Sequence, residues 1–217
     1  MKRRTLDILF SAGGLLLAVL LLIVGIVFTS NANFAKNYVT TQLSEQNINF
    51  KTADMLTAEE KKSACLVQYA GQQLTTGKQA ECYANDFIGL HLKSVAGGKT
   101  YAEMGTPQSQ LQAQVTQAQK TNDPNLANLQ KQLATVTQQR ETLFKGETLR
   151  GLLLTSYGFS VFGEKASQAA WAAFIAALIL ALLSIAGFVH ALVTPKSRTF
   201  GAAEATEVAK EKVAAKA

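Results

Sequence analysis

The chain has 217 residues, 48% of them hydrophobic and 17% charged, with a net charge of +6. Soluble domains carry about 25% charged residues. Here the deficit lies in two blocks, Ile8 to Ala35 and Ala166 to Pro195, which contain no Lys, Arg, Asp or Glu. This excludes an ordinary soluble enzyme, a disordered tail protein and a secreted disulfide-rich miniprotein. No Lys/Arg cluster forms the face that nucleic acid requires, so no nucleic-acid partner is expected. The composition predicts an all-α membrane protein, with two transmembrane helices flanking an exoplasmic helical bundle.

Residues 1–7 carry Lys2, Arg3 and Arg4 and read as a short cytoplasmic N-terminus. Ile8 to Phe28 is apolar, and as a helix it would be about 32 Å long, enough to cross hydrocarbon. The first span is therefore set at 8–29. A cleaved signal peptide is the competing reading, because Ser30-Asn31-Ala32 offers small residues at a cut site. The apolar run exceeds the roughly 7–15 residues of a signal core, which favours an uncleaved anchor. The second span is set at 169–194, long enough to cross with some tilt. His190 is the only ionisable side chain in either block and falls at headgroup depth.

Lys196 and Arg198 follow the second span. Basic flanks stay on the cytoplasmic side, which places both termini in the cytoplasm and residues 30–168 on the exoplasmic face. Trp171 fits an interfacial anchor. The tail, 195–217, reads as a cytoplasmic segment, either a marginal helix or disordered. The expected location is a bacterial plasma membrane, as a multi-pass protein in contact with the lipid bilayer.

Small residues recur on one face of each span: Gly14, Ala18 and Gly25 in the first, Ala169, Ala173, Ala177, Ala181 and Ser184 in the second. Small side chains let helix backbones approach closely in lipid. The simpler reading is that the two spans pack on each other. A homo-oligomer, or another membrane protein on the same face, is the alternative.

Between the spans, residues 30–44 extend the first helix, and Asn47 to Lys51 alternates weakly as an extended segment. Capping boxes at Thr57–Glu60 and Thr76–Gln79 open helices expected over 57–75 and 77–96. Gly97-Gly98 ends the second of these. Thr106-Pro107 and Asp123-Pro124 each place a capping residue before a proline, opening helices over 107–120 and 124–145. A further helix is expected over 147–163. Leu126, Leu129, Leu133, Val136 and Leu143 form an amphipathic seam, with Arg140 in an apolar slot. The Gln-rich stretch 108–139 reads as a polar-faced helical hairpin. Lys145 to Arg150, with Glu147 able to pair with Arg150, is either a polar hinge next to the second span or an ordinary helix start.

Cys65 and Cys82 are the only cysteines, and the topology places both in a compartment that permits disulfides. A tight hairpin centred near residue 75 would offset them by about three residues, roughly 4–5 Å along the axes. That strains the Cα separation limit of about 7 Å unless the helices cross at a skew. The alternative is two buried free thiols. His91 and His190 lie on opposite sides of the membrane and cannot share a site. Gly98-Lys99-Thr100 resembles the end of a phosphate-binding loop, but Lys93 occupies the earlier glycine position. No zinc spacing, catalytic triad or glycosylation sequon occurs. No catalytic, metal or cofactor site is expected.

Tyr69-Ala-Gly-Gln-Gln-Leu-Thr-Thr-Gly77, His91-Leu-Lys, Gly97-Gly-Lys-Thr-Tyr101 and Leu143-Phe-Lys-Gly-Glu-Thr-Leu-Arg-Gly-Leu-Leu-Leu154 resemble a family of uncharacterised actinobacterial two-pass membrane proteins. The likeness runs over nearly the whole chain. Members are often labelled aromatic ring-opening dioxygenases. Two histidines on opposite sides of a membrane cannot supply the two-His-one-carboxylate iron centre within one chain. The resemblance implies a bacterial cell-membrane location and assigns no functional residue.

The expected function is that of a non-enzymatic structural or accessory subunit. It would act through its exoplasmic domain on other membrane or envelope proteins, within a larger complex such as a respiratory assembly. The alternative is an exoplasmic ligand-sensing module that signals through a partner, since the tail is too short to be an output domain.

Overall fold

The computed structural model describes residues 3–195. Lys2, Lys196, Arg198 and the tail expected as a marginal helix or disordered segment fall outside the described residues. Helix α1 runs unbroken over Arg3–Glu45. It contains no proline, and it stops where Asn47 takes a left-handed φ of 52°. The expected extension over 30–44 is therefore present. Helix α6 covers Leu126–Val193, 68 residues in one piece.

That continuity corrects the expected helices at 124–145 and 147–163, and it removes a hinge at Lys145 to Arg150. Gly146 suggested a boundary because a glycine inside a helix costs about 1 kcal/mol. Its role is instead steric. A Cβ at this position would come within 2.5 Å of Leu92 Cδ2. Glu147 and Arg150 do pair, at 3.2 Å, along an uninterrupted helix.

The chain divides into two units, Met1–Asn33 with Glu164–Ala217, and Phe34–Gly163. The first unit consists of the apolar parts of α1 and α6. Among the described residues, these two helices are long and apolar enough to cross a membrane. Ser11, Ala18, Gly25 and Ala32 of α1 are buried at intervals of seven, as are Ala170, Ala177, Ser184 and Ala191 of α6. Seven residues is the interval that keeps one seam facing a partner helix. Gly14 abuts Ser184, Gly187 abuts Ser11, and Gly25 abuts Phe174. Asp7 Oδ2 and His190 Nδ1 lie 3.0 Å apart. Large side chains such as Phe10, Leu16, Ile26, Leu178 and Leu183 are exposed.

In the second unit the expected helix over 57–75 does not form. Thr57 and Glu60 complete their capping box, but it opens only a 3-10 turn, Glu60–Lys62. Ser63 then turns extended (φ −84°, ψ 113°), and its hydroxyl accepts from the Leu66 N–H to start the five-residue α2, Ala64–Gln68. Two caps six residues apart restart the chain instead of prolonging one helix. The segment near Asn49 bridges Gln73 in antiparallel fashion, as its alternation suggested. Phe50 N–H donates to Gln72 O, and Leu74 N–H to Ile48 O.

The expectation over 77–96 is close. The path is α3 (Gly77–Cys82), a π-turn (Tyr83–Ile88), α4 (Gly89–Ser94) and a 3-10 turn (Val95–Gly98). The Thr76–Gln79 capping box is complete. Helix α5 spans Gly105–Thr121, starting before Thr106. Thr100 and Glu103 cap the turn ahead of it instead: Thr100 N–H donates to Glu103 Oε2 at 2.7 Å, and Glu103 N–H to Thr100 Oγ1. Asp123 accepts from the Asn125 N–H at the entrance to α6. The core joins Val39 and Leu43 of α1 to Leu66, Leu74, Ile88 and Leu143. Arg140 fills its apolar slot by lying over the Tyr101 ring at 4.3 Å and donating to Gln108 Oε1 at 2.7 Å.

Candidate functional site

The chemistry-bearing side chains of the second unit gather around α2, the π-turn and α4. Cys65 and Cys82 are joined as a disulfide with their Cα atoms 6.0 Å apart. The strain expected of a long hairpin does not arise. Cys65 sits on the short α2, free to cross α3 at the required spacing. Asp86 Oδ2 lies 2.8 Å from Cys65 Sγ. A sulfur bonded to another sulfur carries no proton, so this contact is not a hydrogen bond.

Cys65, Cys82 and Asp86 are the one group of His, Cys, Asp and Glu with mutually close ligand atoms among the described residues. Metals bind the thiolate, not the disulfide, so the oxidised pair offers only Asp86. The arrangement is a covalent staple between α2 and α3.

Next to it, Glu60 is fully buried, with 0% of its side chain exposed. Lys51 Nζ lies 2.8 Å from Oε1, and the Thr57 N–H donates to Oε2 at 2.7 Å. Burial opposes the charge. The Lys51 ammonium and the Thr57 donors outweigh it and hold the Glu60 carboxyl down at about 2. His91 Nδ1 donates to Phe87 O at 2.6 Å, and its Nε2 lies 3.5 Å from Glu60 Oε1. Rings continue the cluster: Phe50 meets Tyr83 at 5.3 Å, Tyr83 meets Phe87 at 4.6 Å, and Phe87 meets His91 at 4.5 Å. Burial pushes the Tyr83 hydroxyl up.

General bases work best with a pKa near the working pH. A sealed carboxylate at about 2 is far from that, and its oxygens are already engaged. Lys51, the Thr57 N–H and Glu60 therefore act as a lock within the 46–63 segment, with the His91 ring of α4 lying against it. The sequence reading missed this lock. Its one signal is the Thr57–Glu60 box, which by itself predicts a helix start.

The small-residue positions all lie in the first unit. Ala18, Gly25, Ala173, Ala177 and Ser184 are buried, Gly14 is packed on Ser184, and Ala181 is half-buried. Ala170 takes the buried place next to the half-buried Ala169. The chain matches no family model, no curated protein and no solved structure.

Proposed function

We propose that the chain is a two-pass protein of a bacterial plasma membrane, with both termini cytoplasmic and the 34–163 unit on the exoplasmic face. It works as a structural or accessory subunit through contacts with other membrane or envelope proteins. A homo-oligomer is one form such contacts take.

The observation that carries this reading is the inverted character of the helix pair. Only 11% and 17% of the most apolar windows of α1 and α6 are buried. A core helix of a soluble protein would be mostly buried. In water such a large exposed apolar surface is an aggregation liability. In hydrocarbon it is the ordinary state, and helices then associate through small residues and close packing. The staple and the lock serve the shape of a binding surface.

Partners that co-purify with the tagged chain in mild detergent are expected to remain with His91→Ala, whose ring is half exposed. They are expected to be lost with Ala177→Leu and Ala181→Leu together, which force the spans apart. Loss with His91→Ala and retention with the bulky pair would favour a chemical site at His91.

A further inference from the structure

The Asp86 carboxylate is unsatisfied beside the staple. Its Oδ2 lies 2.8 Å from Cys65 Sγ, and no described residue donates a hydrogen bond to it. A carboxylate ordinarily gathers charge-assisted donors. Here it faces a sulfur that has no proton to give while the disulfide stands.

The surrounding geometry is that of a metal chelate. Cys82 and Asp86 are four residues apart and share one face of their helix. The π-turn Tyr83–Ile88 opens directly after Cys82 and contains Asp86, and such turns recur at functional sites. Cys65 reaches the same point from α2, so that the ligand atoms of all three residues lie within 4.8 Å of one another. Zinc holds thiolates at about 2.3 Å and carboxylate oxygens at about 2.0–2.2 Å, which sets tetrahedral ligands about 3.5–3.8 Å apart. Side-chain rotation reaches that spacing once the sulfurs are free, because the Cα atoms, 6.0 Å apart, lie within the span of two Cys–Zn arms. Two thiolates with one carboxylate suit zinc, whereas magnesium and calcium take oxygen ligands. Cys82 is 5% exposed and Cys65 half-buried, which leaves the Cys65 side open to a reductant and to a water as fourth ligand.

We propose that Cys65, Cys82 and Asp86 form a zinc site once the disulfide is reduced. A dithiol reductant gives two electrons and two protons to the Cys65–Cys82 bond and becomes a disulfide itself. Zn²⁺ then displaces the two thiol protons and is held by two thiolates, the Asp86 carboxylate and water. The metal ties α2 to α3 in place of the covalent bond, so the junction persists in either redox state. The site lies wholly within the 34–163 unit and is independent of the accessory role proposed above.

The full chain in detergent micelles is reduced with a phosphine, which does not compete as a thiol ligand, and titrated with Co²⁺ as the probe. One equivalent is expected to give a near-ultraviolet thiolate charge-transfer band with the intense visible bands of a four-coordinate site, and Zn²⁺ to bleach both. The unreduced chain should show neither. Asp86→Ala removes no hydrogen bond and should bind Co²⁺ at least about tenfold more weakly, since loss of a group that merely orients a metal ligand already costs that much. A reduced native chain without the thiolate band overturns the site. Equal Co²⁺ affinity in the native and Asp86→Ala chains removes Asp86 as a ligand and overturns the site as well. Melts cover the case in which reduction loosens α2. Zn²⁺ is expected to restore part of the Tm lost on reduction in the native chain, and less of it in Asp86→Ala. A reduced melt that Zn²⁺ leaves unchanged overturns the metal tie.

Discussion

Replacing both Cys65 and Cys82 with alanine is expected to destabilise the 34–163 unit by about 3 kcal/mol, or roughly 10 °C in Tm. The bond joins residues 17 apart in sequence, and closing such a loop removes entropy from the unfolded chain. The effect is also local. Five-residue helices do not persist unsupported, and α2 holds its place through Cys65 and the buried Leu66. Alanine is the informative replacement, because a Cys65→Ser hydroxyl could donate to Asp86 and mask part of the loss. Circular dichroism melts of the full chain in detergent micelles, with the native chain also measured after reduction, give the difference. Peptide mapping without reductant should find one linked pair. Coincident melts, or two alkylatable thiols in unreduced denatured protein, would contradict the staple.

Glu60→Ala is expected to cost about 3 kcal/mol, since it removes charge-assisted hydrogen bonds and strands partly buried donors. Glu60→Gln should cost less, because its amide oxygen can still accept from the Thr57 N–H. The carboxyl lies at about 2 in the folded chain against an ordinary 4.5. A depressed folded-state pKa gives stability that is fully present above the unfolded value and lost as pH falls. Acid melts should therefore be flat in this contribution above pH 4.5 and decline steadily towards pH 2. Glu60→Ala should lose that part of the acid sensitivity while being weaker at neutral pH. Parallel pH profiles for both chains would show that Glu60 contributes nothing through its charge.

How much of this could be read from the chain follows from the kind of signal each element leaves. The apolar runs stand out by composition, and the small residues on one face of each helix mark where the seam falls. Ala173, Ala177 and Ser184 are legible at spacings of four and seven. Ala170 replaces Ala169 because, at the ends of an alanine-rich helix, neighbouring positions differ little in sequence. The cysteine pair is legible because the chain has only two cysteines, and its geometry is not, since the spacing assumed one long helix over 57–75.

Ser63 explains that miss. A serine is an acceptable helix residue and a good cap, and only the tertiary position of Glu60 decides between the two. Gly146 misleads in the opposite direction. Glycine punctuates, yet here it admits Leu92, a contact invisible in a linear reading. The Lys51–Glu60 lock was illegible because charged residues ordinarily face solvent. The burial of Glu60 depends on the loop between α1 and α2 folding back.

The proposed topology puts 34–163 on the far side of the membrane from both termini. Single cysteines are introduced as Lys120→Cys, at an exposed position on α5, and as Ala205→Cys. The background lacks the native pair. Intact cells, with the outer envelope made permeable, are treated with a membrane-impermeant maleimide. Lys120→Cys is expected to be labelled in intact cells and Ala205→Cys only after lysis. Labelling of Ala205→Cys alone in intact cells would contradict it by inverting the topology. Equal labelling of both before lysis would contradict it by removing the membrane between them.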